Sequence, residues 1–459
     1  MKLAIIGSGI SALTTAQTFL NAGYEIYFFD SNDFNKKNNP NKKLSFFPKV
    51  TTSPKYNDIN IKKSISRFKK KYRIKTKNFF LASSLISGGM SNFWGGGIEI
   101  PSKKYLNQYI DGGLILKEQR HINKILGIGN KNIFKFYNYF YNQKFIKNLI
   151  NFKKNNTYLK KLASAANQND KNLIFNSKNE IKKLSNNALF KYLPNKFITN
   201  LKKKDKKYII RTDDNKRYYP IKFDKIIISA GTVGSTILVS KILNIKESFK
   251  LSHTPTLKLA YFSLTLPFKI KTKKKYKQPL LKIITNINQK ILHGSFMHAD
   301  NLDNYFFGVK KINFFFNIIK KFIFVGNLFF PSEYSLTSLK NVGNKIEIIS
   351  NDNDKMKKEI PLLRKKINDF FKNFNIFEIP YQNLVKLKNG SDAHYTSSLY
   401  DCKINNKKIL NKYSELYKFK NLYVLDGSSI ASGLIYPTYF LMLYASFIAK
   451  RIILNDKKN

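Results

Sequence analysis

The chain carries 82 Lys+Arg against 28 Asp+Glu over 459 residues, a formal net charge of +54, which on its own suggests a nucleic-acid or acidic-membrane partner. Seven of those cations are Arg and 75 are Lys, whereas phosphate- and base-reading sites favour the bidentate Arg fork, so the skew argues against nucleic acid. With 43% hydrophobic and 15% aromatic residues the chain is no disordered polyelectrolyte; its one cysteine, Cys402, excludes a disulfide framework, and five histidines without HExxH spacing leave no metal site expected.

Residues 1–31 read as strand, Gly-rich turn, helix, strand. The apolar run before Gly7 is too short for a signal-peptide core, so a buried strand and a cytoplasmic chain are expected. Gly7-Ser8-Gly9-Ile10-Ser11-Ala12 is G-x-G-x-x-A. Gly7 permits the tight turn, Gly9 lets a pyrophosphate approach the backbone, and Ala12 lets helix and strand pack closely. Ser11 falls in the first helical turn, where free N–H groups favour anions. Asp30 ends the second strand, where an acid accepts hydrogen bonds from a ribose diol. The motif predicts an ADP-containing cofactor and leaves FAD and NAD open.

Residues 32–77 are polar and interrupted by Pro40, Pro48 and Pro54, a long loop. Leu81 to Ile100 is Ser/Gly-rich around the single tryptophan, Trp94. Residues 101–190 read as mostly helical, Lys196–Tyr208 and Arg211–Tyr219 as hairpin material, and Lys225–Ser229 as a buried strand ending in Ala230-Gly231. From 251 to 390 strands alternate around an amphipathic helix, Lys355–Phe374. Ile312 to Phe330 is apolar but for Lys320 and Lys321 in its middle and reads as an interfacial or core helix. A strand at Asn421–Leu425 and an apolar helix from Thr438 to Leu454 close the pattern. The Lys runs are scattered as in solvated loops, which leaves peripheral association with an anionic membrane as a second partner class.

Three further segments resemble the glucose–methanol–choline (GMC) family of FAD-dependent oxidoreductases. Ser87-Gly88-Gly89-Met90-Ser91-Asn92-Phe93-Trp94 resembles the GG-x-S loop of that family, in the form of its pyranose-oxidase-like and polysaccharide-associated members. Ile228-Ser229-Ala230-Gly231-Thr232-Val233-Gly234-Ser235 resembles its strand-end AGAxGS block, and Asn421-Leu422-Tyr423-Val424-Leu425-Asp426-Gly427-Ser428, with Pro437-Thr438 beyond, its NLYVxDGS…PT block. The resemblance implies FAD as cofactor, with Gly88, Gly89, Ser91, Asn92 and Trp94 in the loop against it. It likewise implies Ala230 and Gly231 beside the ADP, and Asp426, Gly427, Pro437 and Thr438 toward the flavin ring. Phe93 stands where a flavin-attaching histidine occurs in the family, so the FAD is expected to be noncovalent.

The implied fold is α/β: a Rossmann-type FAD-binding domain, discontinuous in sequence (1–100, 196–250 and 391–459), with a second α+β substrate domain at 251–390 and a helical insertion at 101–195. The implied reaction transfers hydride from the CH–OH group of an alcohol, a sugar or polyol, to the flavin, with the electron acceptor left open. His394 holds the place of the family's catalytic base, and imidazole suits that work. Tyr436 replaces the family's second catalytic Asn or His; a phenol is a poor base but can donate a hydrogen bond. Ser397 stands where the family has Gly. Two alternatives stay open: a flavin-binding but catalytically degenerate protein, and a flavoprotein reductase using NAD(P)H.

Overall fold

The computed structural model describes residues 1–32, 59–92, 94, 96–110, 112–126, 143–164, 175–214, 218–264, 281–299 and 319–458. Most of the long loop expected before residue 77, and Phe93, lie outside the described residues. The chain opens with β1 (Lys2–Ile6), α1 (Ile10–Leu20) and β2 (Glu25–Phe29), then α2 (Ile59–Tyr72), β3 (Ile74–Lys77) and α3 (Gly112–Ile125). It continues with β4 (Thr157–Lys161), β5 (Phe190–Leu193), β6 (Lys225–Ile228) and α4 (Thr232–Ile242). Strands β7 (Thr256–Ser263), β8 (Leu281–Ile287), β9 (Lys290–His298), β10 (Ile323–Phe329), β11 (Leu336–Val342) and β12 (Lys345–Asn351) follow, then α5 (Asp354–Lys372), β13 (Leu422–Val424) and α6 (Pro437–Lys458).

The fold is mixed α/β. Five strands form an all-parallel sheet in the order β13-β6-β1-β2-β5. Its central strands β1 and β6 are buried on both faces, as a sheet covered on both sides requires. Leu3, Ile5 and Ile227 face a core shared with α1 and α6, while Ala4, Ile6, Ile226 and Ile228 face one shared with α4 and a four-stranded sheet. That smaller sheet runs Phe249–Lys250, β11, β12, β3.

The largest sheet is antiparallel and joins β7, β10, β9, β8 and β4 in that spatial order. Its two faces differ because side chains alternate along each strand. Leu257, Leu259, Tyr261, Ile283, Phe296 and Leu328 pack under α5 against Leu363, Ile367, Phe370 and Phe371. The opposite face, fixed by the register Lys282↔Ser295 and His293↔Phe329, mixes polar Lys282, His293, Ser295 and Asn327 with apolar Ile284 and Phe329, and Phe329 packs on His394 and Tyr436.

Three sequence expectations need correction. The long loop expected over 32–77 holds helix α2 and strand β3 in its described part; the Ile59–Tyr72 stretch has apolar residues at helical spacing between its lysines, and β3 is set by pairing with β12. The stretch expected as a helix over Ile312 to Phe330 contains β10, paired on both sides; residues 312–318 lie outside the described set. A short apolar run does not distinguish helix from buried strand, and here backbone partners on both sides decide it. Likewise 101–190 is only partly helical, since β4 joins the large sheet and β5 the parallel one. Helix α6 is long and apolar enough to cross a membrane, with mean hydropathy 1.2, yet 72% of that stretch is buried inside the protein, where it packs on α1 and α3.

Candidate functional site

The turn after β1 is fixed by sterics. Gly7 has φ +111, and a Cβ there would stand 2.2 Å from the Ser229 carbonyl oxygen at the end of β6, while its N–H donates to Phe29 O at 3.0 Å. No L side chain fits that position. Gly9 is different. It begins α1 with no side-chain cap, and a Cβ on it would meet nothing within 4 Å. The space over this helix start is open, and free N–H groups there suit an anion. Ser11 is buried in the first turn, and Ala12 lies in the core between α1 and the sheet.

The Ser87–Asn92 turn rests on this opening. Gly88 N–H donates to Ser8 Oγ at 3.0 Å, and a Cβ on Gly89 would sit 3.5 Å from Gly9 Cα. Both glycines have positive φ. The polar side chains of the turn shape it. Ser91 Oγ donates to Gly88 O at 2.6 Å, Asn92 Nδ2 donates to Ser87 O at 2.8 Å, and Trp94 Nε1 donates to Phe175 O at 2.7 Å. At the end of β6, Gly231 (φ +77) starts α4 and also has nothing within 4 Å of a Cβ. Gly9 and Gly231 thus present open backbone at neighbouring strand ends, a cradle that a dinucleotide phosphate would fit.

Asp30 is buried at the end of β2, accepting from Tyr192 Oη at 2.9 Å and Asn32 N–H at 3.2 Å. Burial pushes its carboxyl up from 3.8 to about 6, against the lowering effect of hydrogen bonds from Ser87, Tyr192, Asn32 and Ser8. The folded state therefore holds the proton more tightly than the unfolded chain. Stability falls as pH rises from about 4 to about 6 and stays reduced above that. Asp30→Asn removes this dependence: relative to the variant, the wild type without cofactor loses about 2 kcal/mol between pH 4 and 7, which denaturant unfolding at stepped pH checks.

Asp426 has a structural task. Its carboxylate accepts from Ser235 Oγ, at the start of α4, and from both Ser428 N–H and Ser428 Oγ, so it ties β13 to β6. Gly427 then carries the chain so close that a Cβ would stand 2.4 Å from both Thr232 Oγ1 and Tyr395 O. Thr232 Oγ1 itself donates to Tyr395 O at 2.6 Å, and Ser397 N–H donates to Gly427 O at 2.9 Å. The segment carrying His394 is thereby fastened over the strand ends. Ala393 (φ +62) and Ser397 (φ +68) hold left-handed backbone on either side of it, a strain that non-glycine residues keep only where packing enforces it. Ser397 shows why a glycine is natural at its position.

His394 and Tyr436 meet, with ring centroids 5.8 Å apart and Phe329 packed on both. Pro437 and Thr438 open α6 directly behind Tyr436. Thr254 Oγ1 donates to Asp392 Oδ2 at 2.9 Å, and His394 Nδ1 lies 3.3 Å from the same hydroxyl oxygen. With the hydroxyl proton committed to the carboxylate, that oxygen accepts from Nδ1–H, which places the imidazole lone pair on Nε2. Asp392 also accepts from the N–H groups of Thr254 and His394. His253 Nδ1, fully buried against Phe79, stands 3.3 Å from Asp392 Oδ1, out of line for a hydrogen bond. Burial alone would raise the Asp392 carboxyl, but the imidazoles of His253 and His394 and the hydrogen bonds outweigh it, and it is held down to about 2.

Tyr436 is pushed well above the ordinary phenol range, first by burial and then by the Glu99 carboxylate. It stays a neutral donor. Its buried hydroxyl lies beside Ser295 without an aligned hydrogen-bond partner. Beyond it, Glu99 pairs with Lys282 and stands 3.1 Å from His293 Nδ1; burial would raise Glu99, but His293 and Lys282 together bring it below its usual value. Sequence reasoning missed His253, Thr254, Asp392, Glu99, Lys282 and His293. Asp392, two residues before His394 in a chain short of acids, was open to notice; the others converge only through sheet register. Among the described residues no cluster of three or more His, Cys, Asp or Glu is placed to hold a metal ion. Compared with known proteins, the chain matches no protein-family model and no curated sequence.

Proposed function

We propose that the chain is an FAD-dependent oxidoreductase of the GMC type, acting on the CH–OH group of a sugar or polyol, with a Rossmann-type FAD-binding domain built on the parallel sheet. The observation that carries this reading is the fastening of the His394 segment to Gly427 and Thr232, beside the open backbone at Gly9 and Gly231. Gly9, Gly89, Gly231 and Asp30 would hold the ADP part noncovalently, and the backbone of Gly427 and the start of α6 would face the ring. Bound FAD supplies the hydride acceptor.

The chain's own residues handle the proton and the substrate. His394 Nε2 takes the substrate hydroxyl proton. Thr254 fixes the tautomer, and Asp392, ionised across the working range, orients Thr254 and stabilises the imidazolium electrostatically. Tyr436 donates a hydrogen bond to the developing alkoxide. Lys282, His293, Ser295 and Asn327 share one face of the large sheet, a set of donors and acceptors that suits a polyhydroxylated substrate.

Tyr436→Phe is expected to slow flavin reduction about 10- to 100-fold, the worth of one hydrogen bond to a charged group, with FAD uptake unchanged in a spectroscopic titration. The reading itself is tested by FAD content: purified protein carries FAD or takes it up one to one, and a protein that does neither refutes it.

A further inference from the structure

A groove of about 680 Å³ lies on the α2–β3 corner, and none of the candidate active-site residues lines it. Six of its ten lining residues are cations, Lys62, Lys69, Lys70, Arg73, Lys75 and Lys345, and none is acidic, whereas the whole chain has 82 cations in 459 residues. Among the described residues none of the six has a carboxylate within 4.0 Å, although neighbouring Lys71 is paired with Asp213. Unpaired like charges that converge on one concave surface repel each other and favour a bound counter-charge.

The local structure holds the charges there. Helix α2 ends in Lys69, Lys70 and Lys71, and the chain turns into β3 through Arg73 at φ +54, a conformation that arginine seldom adopts. β3 then pairs parallel with β12, which brings Lys345 alongside through the Ile74↔Ile346 register. Ile65, Ile74 and Phe80 form a floor that keeps the groove from collapsing. Lys69 is held at Thr76 Oγ1, 3.0 Å away, and its ammonium is pushed below its ordinary pKa by burial and by Lys388.

We infer that this groove is a binding site for a multiply charged phosphate anion, free or on a lipid headgroup. Lysines supply point charges, and Arg73 supplies the bidentate fork. The inference does not depend on the flavin reading.

Calorimetric titration of the full chain with inorganic tripolyphosphate tests it. The wild type binds, and binding weakens with salt. The variant Lys70→Gln/Arg73→Gln/Lys345→Gln loses affinity at least about 10-fold. A second basic groove, which holds Lys408, Lys412 and Lys418 together with Glu415, provides a control of equal charge change. Lys408→Gln/Lys412→Gln/Lys418→Gln keeps affinity within about 3-fold. Circular dichroism confirms that both variants fold. No binding by the wild type, or equal losses in the two variants, overturns the proposal. Sedimentation with phosphatidylcholine vesicles containing phosphatidylinositol 4,5-bisphosphate, whose headgroup carries phosphomonoesters, separates the sources. Binding that tripolyphosphate displaces, and that the first variant lacks, assigns a lipid headgroup, whereas tripolyphosphate binding without vesicle binding assigns a free anion.

Discussion

His394→Ala is expected to lower substrate-driven flavin reduction by about 10²- to 10⁴-fold, the usual contribution of a positioned general base, while FAD content stays at the wild-type level. The two readouts are expected to separate because Thr254, Phe329 and Tyr436, which His394 contacts, are none of the residues proposed to hold the ADP part. The neighbouring backbone, Tyr395 O to Thr232 and Ser397 N–H to Gly427, holds the segment in place. Stopped-flow reduction under anaerobic conditions reads the loss directly. If reduction proceeds unchanged in the variant, the assignment of the base is wrong and the proton leaves by another group, with His293 the next to test.

Gly7→Ala and Gly9→Ala are expected to diverge sharply although both add one methyl group. At Gly7 the new Cβ stands 2.2 Å from Ser229 O with φ at +111. Left-handed strain and overpacking together cost about 3–5 kcal/mol, pushing β1 away from β6 and abolishing FAD uptake. At Gly9 φ is −71 and the Cβ enters open space, so unfolding free energy changes by less than about 1 kcal/mol. FAD affinity nevertheless falls, because the methyl group occupies the volume over the helix start. Denaturant unfolding and FAD titration on the same two variants check this. Equal destabilisation by both, or full FAD affinity in Gly9→Ala, would argue against the cradle.

How much of this was legible in the sequence depends on where the interactions close. The elements β1, α1, β2, β6 and β13 are readable because their constraints are local: apolar runs buried on both faces, glycines where a Cβ clashes, an acid at a strand end. The resemblance makes Asp426 a cofactor neighbour, yet its carboxylate is consumed by Ser235 and Ser428, a closure visible only in three dimensions. The same holds for Glu99, which meets Lys282 and His293 only because β8 and β9 pair in one register. The described part of 312–330 departs from the expected helix for a related reason. Its hydrophobicity is compatible with helix or strand, and only the partners on both sides of β10 choose between them.

The net charge of +54 also takes on a more specific meaning. Dispersed over loops it carries no recognition, but at the α2–β3 corner six cations without a carboxylate partner among the described residues share one groove, while the candidate active site holds the buried Asp30 and Asp392 and the half-buried Glu99, each with a distinct electrostatic setting.

The central claim, a flavoprotein that oxidises a sugar or polyol with His394 as base, is tested most directly by anaerobic titration of the FAD-loaded protein with a panel of sugars and polyols. The expected result is bleaching of the visible flavin band by at least one member of the panel, fast in the wild type and slow in His394→Ala. A protein that remains colourless after incubation with FAD, or whose bound flavin no sugar or polyol reduces, would contradict it.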